Sequence, residues 1–110
     1  MKNMNFMNLP KKYSGKDSSY VILPIEYEKD LTGGKGASKA SREIIKHSYQ
    51  LEYYDEFLGM EPFEKGIRLL PSVKTFDSIE RSVLKDKDKF IISLGGDHSV
   101  IIPILKAFEK

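Results

Sequence analysis

Three short runs of apolar and β-branched residues, each cut off sharply at its C-terminal end, constrain this chain more than anything else in it. They are Tyr20-Val21-Ile22-Leu23-Pro24-Ile25, Gly66-Ile67-Arg68-Leu69-Leu70 before Pro71, and Phe90-Ile91-Ile92-Ser93-Leu94 before Gly95-Gly96. The first and third lack the apolar–polar alternation of a strand with one wet face. They predict strands buried on both faces, as in a parallel sheet. Pro24 belongs at the C-terminal end of its strand, where a missing N–H costs least.

Segments with helical spacing lie between and after the runs. Ile44, Ile45 and Tyr49 mark the inner face of a helix that starts at Ser38 or Ser41 and runs to Gln50. Phe76, Ile79, Val83 and Leu84 mark a second, over residues 75–85, with Thr75 as its cap. Ile101, Ile104, Leu105 and Phe108 mark a third, capped by Ser99, with Pro103 early enough to be tolerated. Leu51 to Tyr54 reads as one more short strand. The order is strand–helix–strand–strand–helix–strand–helix, which defines an α/β class with a mostly parallel sheet. Residues 1–18 form an irregular N-terminal arm, with Phe6, Met7, Leu9 and Tyr13 as anchors onto the body. So few strands make a small sheet, and residues 19–110 therefore read as the first part of a single larger α/β domain.

Charge and composition exclude several classes of function. Eighteen Lys and Arg stand against 16 Asp and Glu, a net charge of +2. The signs are interleaved even in the densest run, Lys85-Asp86-Lys87-Asp88-Lys89, whereas a nucleic-acid binder shows a stripe of one sign. A membrane span needs roughly 20 apolar residues in a row, and the runs here are far shorter. Residues 1–18 lack the apolar core of a signal peptide. The absence of cysteine removes disulfides, thiolate nucleophiles and sulfur-ligated zinc. The expectation is a soluble, cytoplasmic protein with no nucleic-acid or membrane partner.

Ligands of an open parallel sheet bind beyond the carboxyl ends of its strands. Two segments occupy that position, Glu26 to Gly36 and Gly95 to Ser99. In the second, Gly95 and Gly96 permit positive φ and close backbone approach, and they put Asp97 and His98 on a tight turn. An imidazole there can act as base, proton shuttle or metal ligand. The same string also reads as a plain turn in which Asp97 caps the helix and His98 is a surface residue. Gly33, Gly34 and Gly36 in the first segment fail both phosphate tests. Lys35 is followed by Gly36 rather than Ser or Thr, and Lys39 stands where a dinucleotide fingerprint needs its third glycine. That segment reads as a loop covering the site, and a generic nucleotide-binding module is disfavoured. Asp86 and Asp88 have metal-ligand spacing but fall at the opposite edge of the sheet. His47 reads as a helix-surface residue with no acidic partner, and Tyr49, Tyr53, Tyr54 and Phe57 as packing residues.

The stretch Leu94-Gly95-Gly96-Asp97-His98-Ser99-Val100, with Pro103 and Ala107 downstream, resembles the first metal-binding signature of the ureohydrolases (arginase, agmatinase, formiminoglutamase and relatives). Ile101 departs from that signature, which carries a smaller residue there. The resemblance extends to Asn5-Phe6, Leu9-Pro10, Tyr13-Ser14, Val21 to Ile25, Tyr27-Glu28-Lys29, Gly34-Lys35-Gly36-Ala37, Ile44-Ile45 and Gln50 to Asp55, all similar to the N-terminal portion of agmatinase-type sequences. Glu26 stands where the family often has Pro, and Ala40-Ser41 where it commonly has Gly-Pro.

The resemblance implies a three-layer α/β/α fold and a cofactor of two manganese ions (Mn2+) sharing a hydroxide. It implies hydrolysis of a small guanidino substrate with release of urea, as in agmatine to putrescine and urea. Arginine and other guanidino compounds are not distinguished. His98 would be one metal ligand, and Gly95, Gly96, Asp97 and Ser99 would orient its turn. The family's remaining ligands belong to a later Asp-x-His-x-Asp segment and a still later Asp-x-Asp segment, neither of which occurs in these residues. The expectation is therefore an N-terminal portion that is inactive by itself, and a homo-oligomer at full length. The alternative is a non-catalytic ureohydrolase-like remnant acting as an interaction or regulatory partner.

Overall fold

A computed structural model describes residues 4–29 and 36–110. Three strands form one sheet: β1 (Tyr20–Pro24), β2 (Ile67–Leu69) and β3 (Phe90–Leu94). Their spatial order is β2-β1-β3, and both pairings are parallel. Tyr20 stands opposite both Ile67 and Phe90, and Pro24 stands opposite Leu94. The first apolar run is thus the central strand, which explains its unbroken hydrophobicity. Every residue from Val21 to Ile25 is buried. Pro24 does close the strand.

Side chains alternate across a sheet, and that alternation divides the core. Val21, Leu23 and Ile25 pack in one cluster with Leu70, Val73, Ile79, Val83, Val100 and Ala107. That cluster is roofed by two helices, α2 (Phe76–Lys85) and α3 (Ile101–Glu109). Ile22 faces the other way, toward the layer that holds the first helix, α1 (Ala40–His47), and the buried Leu9. The result is three layers, α/β/α, as expected.

Each helix starts differently. Thr75 closes a full capping box on α2: its Oγ1 accepts from the Ser78 N–H at 3.1 Å, and the Thr75 N–H donates to Ser78 Oγ at 3.1 Å. Neither Ser38 nor Ser41 caps α1, which begins from a single 3-10 turn over Ala37–Lys39. Ser41 lies inside the helix and is buried. The inner face of α1 is Ser41 and Ile45, continued by Ser48, while Ile44 and Tyr49 face solvent. Small residues at i and i+7 let the helix lie close to the sheet, a spacing that an apolar-periodicity reading overlooks. The cap before α3 comes from Asp97 rather than Ser99. The Asp97 carboxylate accepts the Ser99 N–H at 2.9 Å and starts a 3-10 turn, His98–Val100, that leads into the helix. Pro103 is buried in the first turn of α3.

Two further expectations fail. Leu51 to Tyr54 is not a strand, and the nearest pairing is an isolated antiparallel bridge between Asp55 and Met60. Tyr53 instead pins the arm: its hydroxyl donates to the Met7 carbonyl at 3.1 Å, and its ring packs 4.7 Å from Phe63. The arm itself carries two 3-10 turns, at Phe6–Asn8 and Lys11–Tyr13. Leu9 is its buried anchor, with Phe6, Met7 and Tyr13 half-buried beside it. The second correction concerns β3. It forms where expected but is not buried on both faces, because it lies at the edge of the sheet. Phe90, Ile92 and Ser93 are exposed.

Candidate functional site at the carboxyl ends of the strands

Both candidate loops leave the same end of the sheet, because β1 and β3 are adjacent and parallel. Gly95 and Gly96 have φ of +92° and +80°. At Gly95 a Cβ would stand 2.8 Å from the Ile25 carbonyl oxygen and 3.0 Å from Ser41 Cβ. At Gly96 it would stand 2.7 Å from Val100 Cγ1. The turn is therefore pressed against both the end of β1 and the start of α1, and only glycine fits.

Hydrogen bonds then join the two loops. The Gly96 N–H donates to the Ala37 carbonyl, and the Asp97 N–H to the Tyr27 carbonyl, each at 3.3 Å. The Asp97 carboxylate faces both ways. Its Oδ2 accepts the Lys29 N–H at 2.5 Å, while its Oδ1 accepts the Ser99 N–H and the Ser99 hydroxyl. Asp97 thus both starts the helical turn and holds the loop after β1. His98 follows at the head of that turn and is exposed. Among the described residues its ring has no hydrogen-bond partner, so it is open to an incoming ligand. The expected turn residues Gly95, Gly96, Asp97 and Ser99 are brought together around His98.

Glu28 is a residue that sequence reasoning noted only inside a longer matching string. Its carboxylate accepts the Gly36 N–H at 3.0 Å, the Ser38 N–H at 3.2 Å and the Ser38 hydroxyl at 2.8 Å. It thereby fixes the far end of the loop. The Ser38 hydroxyl first, then the backbone N–H groups of Ser38 and Gly36, hold its carboxyl below the usual glutamate range, against a smaller opposing push from Asp97. Nothing in local composition marks Glu28, because its partners lie eight and ten residues on. The glycines Gly33 and Gly34 fall outside the described residues.

Glu26, one of the departures from the family pattern, forms an ion pair with Arg42 at 2.7 Å. The Ser72 hydroxyl, and after it Arg42 and Lys74, hold its carboxyl below the usual range against the opposing effect of burial. Both glutamates have a lower pKa folded than unfolded. Their stabilisation is complete above the ordinary carboxyl range and is lost as pH falls through the depressed folded values. The protection factors of the Gly36 and Ser38 amides, taken against the intrinsic exchange rate at each pH, should therefore fall as the pH drops below the ordinary glutamate range and through the depressed folded value of Glu28. Glu28→Gln should show the weaker protection already at neutral pH. Hydrogen exchange followed by NMR measures both, and protection of these amides unchanged down to pH 3 would remove the role given to Glu28.

The remaining candidates lie elsewhere. Asp86 terminates α2 at the opposite edge of the sheet, 4.0 Å from the Arg68 guanidinium. His47 does have an acidic neighbour, Glu43, one helical turn earlier at 3.7 Å, which corrects the sequence reading. Both groups are exposed, so the pair contributes little. Among the described residues no three His, Cys, Asp or Glu side chains are grouped so as to hold a metal ion. The residues present therefore do not by themselves fit a two-manganese centre.

A parallel α/β/α sheet with a Gly-Gly-Asp-His-Ser turn at its carboxyl edge defines a class of protein whose chemistry is placed at the strand ends. The chain belongs to the arginase family, whose family model matches residues 18–110. It is 32% identical over 124 residues to an agmatinase of Bacillus cereus, covering 94% of this chain and 43% of that protein. It is 31% identical over 113 residues to an N(1)-aminopropylagmatine ureohydrolase of Thermus thermophilus, covering 89% of this chain and 39% of that protein. The fold matches the crystal structure of agmatine ureohydrolase from Thermoplasma volcanium with a TM-score of 0.69 at 24% identity, over 83% of this chain and 34% of that one. The chain thus spans between 36% and 43% of the length of the two curated relatives and of a third, from Synechocystis. None of the described helices is long and apolar enough to cross a membrane.

Proposed function

We propose that this chain is a portion of an agmatinase-type ureohydrolase and that His98 is its contribution to a manganese centre. The observation that carries this reading is the position of the Gly95–Ser99 turn. It lies where ligands of a parallel sheet bind, and its histidine is exposed with no other partner among the described residues. Imidazole and carboxylate donors suit manganese. A guanidino substrate of the agmatine kind, agmatine or its N(1)-aminopropyl derivative, is favoured because an agmatinase and N(1)-aminopropylagmatine ureohydrolases are among the relatives.

The roles of the other turn residues follow from their contacts. Gly95 and Gly96 bring the backbone against Ile25, Asp97 fixes the direction of the turn, and Ser99 keeps the Asp97 carboxylate in place. One imidazole cannot hold two metal ions. The 110 residues alone are therefore inactive, and the other ligands come from residues that this chain does not contain.

Two measurements test this. Isolated chain incubated with agmatine and Mn2+ should release no urea. Mn2+ titrated into labelled chain should broaden the ring resonances of His98 before those of His47, the only other histidine. Urea release at an ordinary enzyme rate would overturn the inactivity. Equal broadening of the two rings, or broadening of His47 alone, would overturn the role given to His98.

A further inference from the structure

The loop over residues 51–60 is tied into one shape, yet its apolar side chains stay outside. The Asp55 N–H donates to the Met60 carbonyl and the Gly59 N–H to the Asp55 carbonyl, each at 2.8 Å. The Asp55 carboxylate accepts the Leu58 N–H at 2.9 Å. Phe57 stands at the tip and is 98% exposed, and Leu51, Tyr54, Leu58 and Met60 are between 42% and 58% exposed. Single exposed apolar residues are ordinary, but a cluster of them on one short loop marks an interaction site. An aromatic anchor on a loop already fixed in shape loses little freedom on docking.

A receptor for such an anchor lies next to the loop. Phe6 of the arm, Ile44 of α1 and Leu51 line an apolar cavity of about 370 Å³, bordered by Glu43 and His47, which already pair with each other. Leu51 belongs to both the loop and the cavity. Charge is divided in the same region. Residues 51–64 carry Glu52, Asp55, Glu56, Glu61 and Glu64 and no Lys or Arg, while residues 1–16 carry Lys2, Lys11, Lys12 and Lys16 and no acid. The two segments lie side by side, because Tyr13 and Tyr53 both pack on Phe63. Among the described residues, none of these acids or lysines enters an ion pair within the chain.

We propose that this face docks a second copy of the chain, as a two-fold dimer in which Phe57 of each protomer enters the Phe6–Ile44–Leu51 cavity of the other. A two-fold interface pairs a surface with itself, so that surface must hold both members of each complementary pair. This face holds an anchor beside a cavity and an acidic run beside a basic one. Rotation about the axis sets the acidic run of one protomer against the basic run of its partner. A head-to-tail ring would need the anchor and the cavity on different faces, and the shared Leu51 puts them on one. The proposal is independent of His98 and of any metal.

The test is sedimentation equilibrium of the 110-residue chain from about 5 μM to about 500 μM, the range in which a weak protein pair dissociates. A monomer–dimer equilibrium is expected, weakened by added salt. In a sample mixed from labelled and unlabelled chains, NMR should show cross-peaks between the Phe57 ring and the Ile44 and Leu51 methyl groups of the partner. Phe57→Ala and Ile44→Glu should each weaken the dimer by about tenfold or more. Leu105→Glu, on the exposed side of α3, should leave it unchanged. Phe57→Ala acts on association alone: at dilutions where the wild type is monomeric, the variant should melt like it. A chain that stays monomeric throughout would overturn the proposal, as would a dimer indifferent to Phe57→Ala or to Ile44→Glu. A trimer or an open polymer would overturn the two-fold arrangement. A dimer lost in Leu105→Glu but kept in Phe57→Ala would put the interface at α3 and overturn the proposal as well.

Discussion

Gly95→Ala is expected to cost roughly 3 kcal/mol of folding stability. A non-glycine residue held at φ +92° costs about 1–3 kcal/mol by itself. The new methyl group would also stand 2.8 Å from the Ile25 carbonyl oxygen and 3.1 Å from the Ser41 nitrogen. Both are backbone atoms, one at the end of β1 and the other inside α1, and neither can retreat without moving its element. At roughly 4 °C or more per kcal/mol for a domain of this size, the melting temperature should fall by about 12 °C. Gly96→Ala should cost about as much, because its Cβ at φ +80° would stand 2.7 Å from Cγ1 of Val100, a buried β-branched side chain with little freedom to move, and 3.2 Å from the Tyr27 carbonyl oxygen. Thermal unfolding of the two variants checks the size. A Gly95→Ala protein that melts like wild type would mean that the turn does not lie against Ile25.

Leu23→Ala should be at least as damaging. Leu23 is fully buried at the middle of the central strand, in the cluster that joins the sheet to α2 and α3. Truncating a buried leucine to alanine typically costs about 3–5 kcal/mol, made up of lost transfer energy and the cavity left behind. A domain of this size has about 5–15 kcal/mol in total, and one with an open sheet edge has less core to draw on. The urea midpoint should drop sharply with little change in slope. Phe57→Ala is the control. Phe57 is almost wholly exposed, so its loss should stay within about 0.5 kcal/mol. Similar losses for the two variants would contradict the placement of Leu23 at the centre of the core.

These two expectations come from different sources. That Leu23 is buried was legible in the sequence, because an unbroken apolar run of this length has few other uses. That Gly95 matters was half legible. Two adjacent glycines after a strand announce a turn, but Ile25 and Ser41, which make the turn impossible for alanine, are 70 and 54 positions away. The cap at Thr75 could be read directly, since its partner is three residues on. The sequence leaves the cap before α3 open between Ser99 and Asp97, because both residues can cap and only geometry separates the acceptor from the donor.

The sequence by itself determined the α/β class, the three strands of the sheet, the positions of the three helices and the turn that carries His98. All of these depend on contacts within one element or on burial, and periodicity and composition record both. The tertiary structure alone decided that β3 lies at an edge, that Tyr53 pins the arm instead of joining the sheet, and that Glu28 and Asp97 tie the two loops together. Such features depend on which distant residues meet. A strand's hydrophobicity says that it wants two neighbours, and only the folded chain shows that, among the described residues, β3 has one.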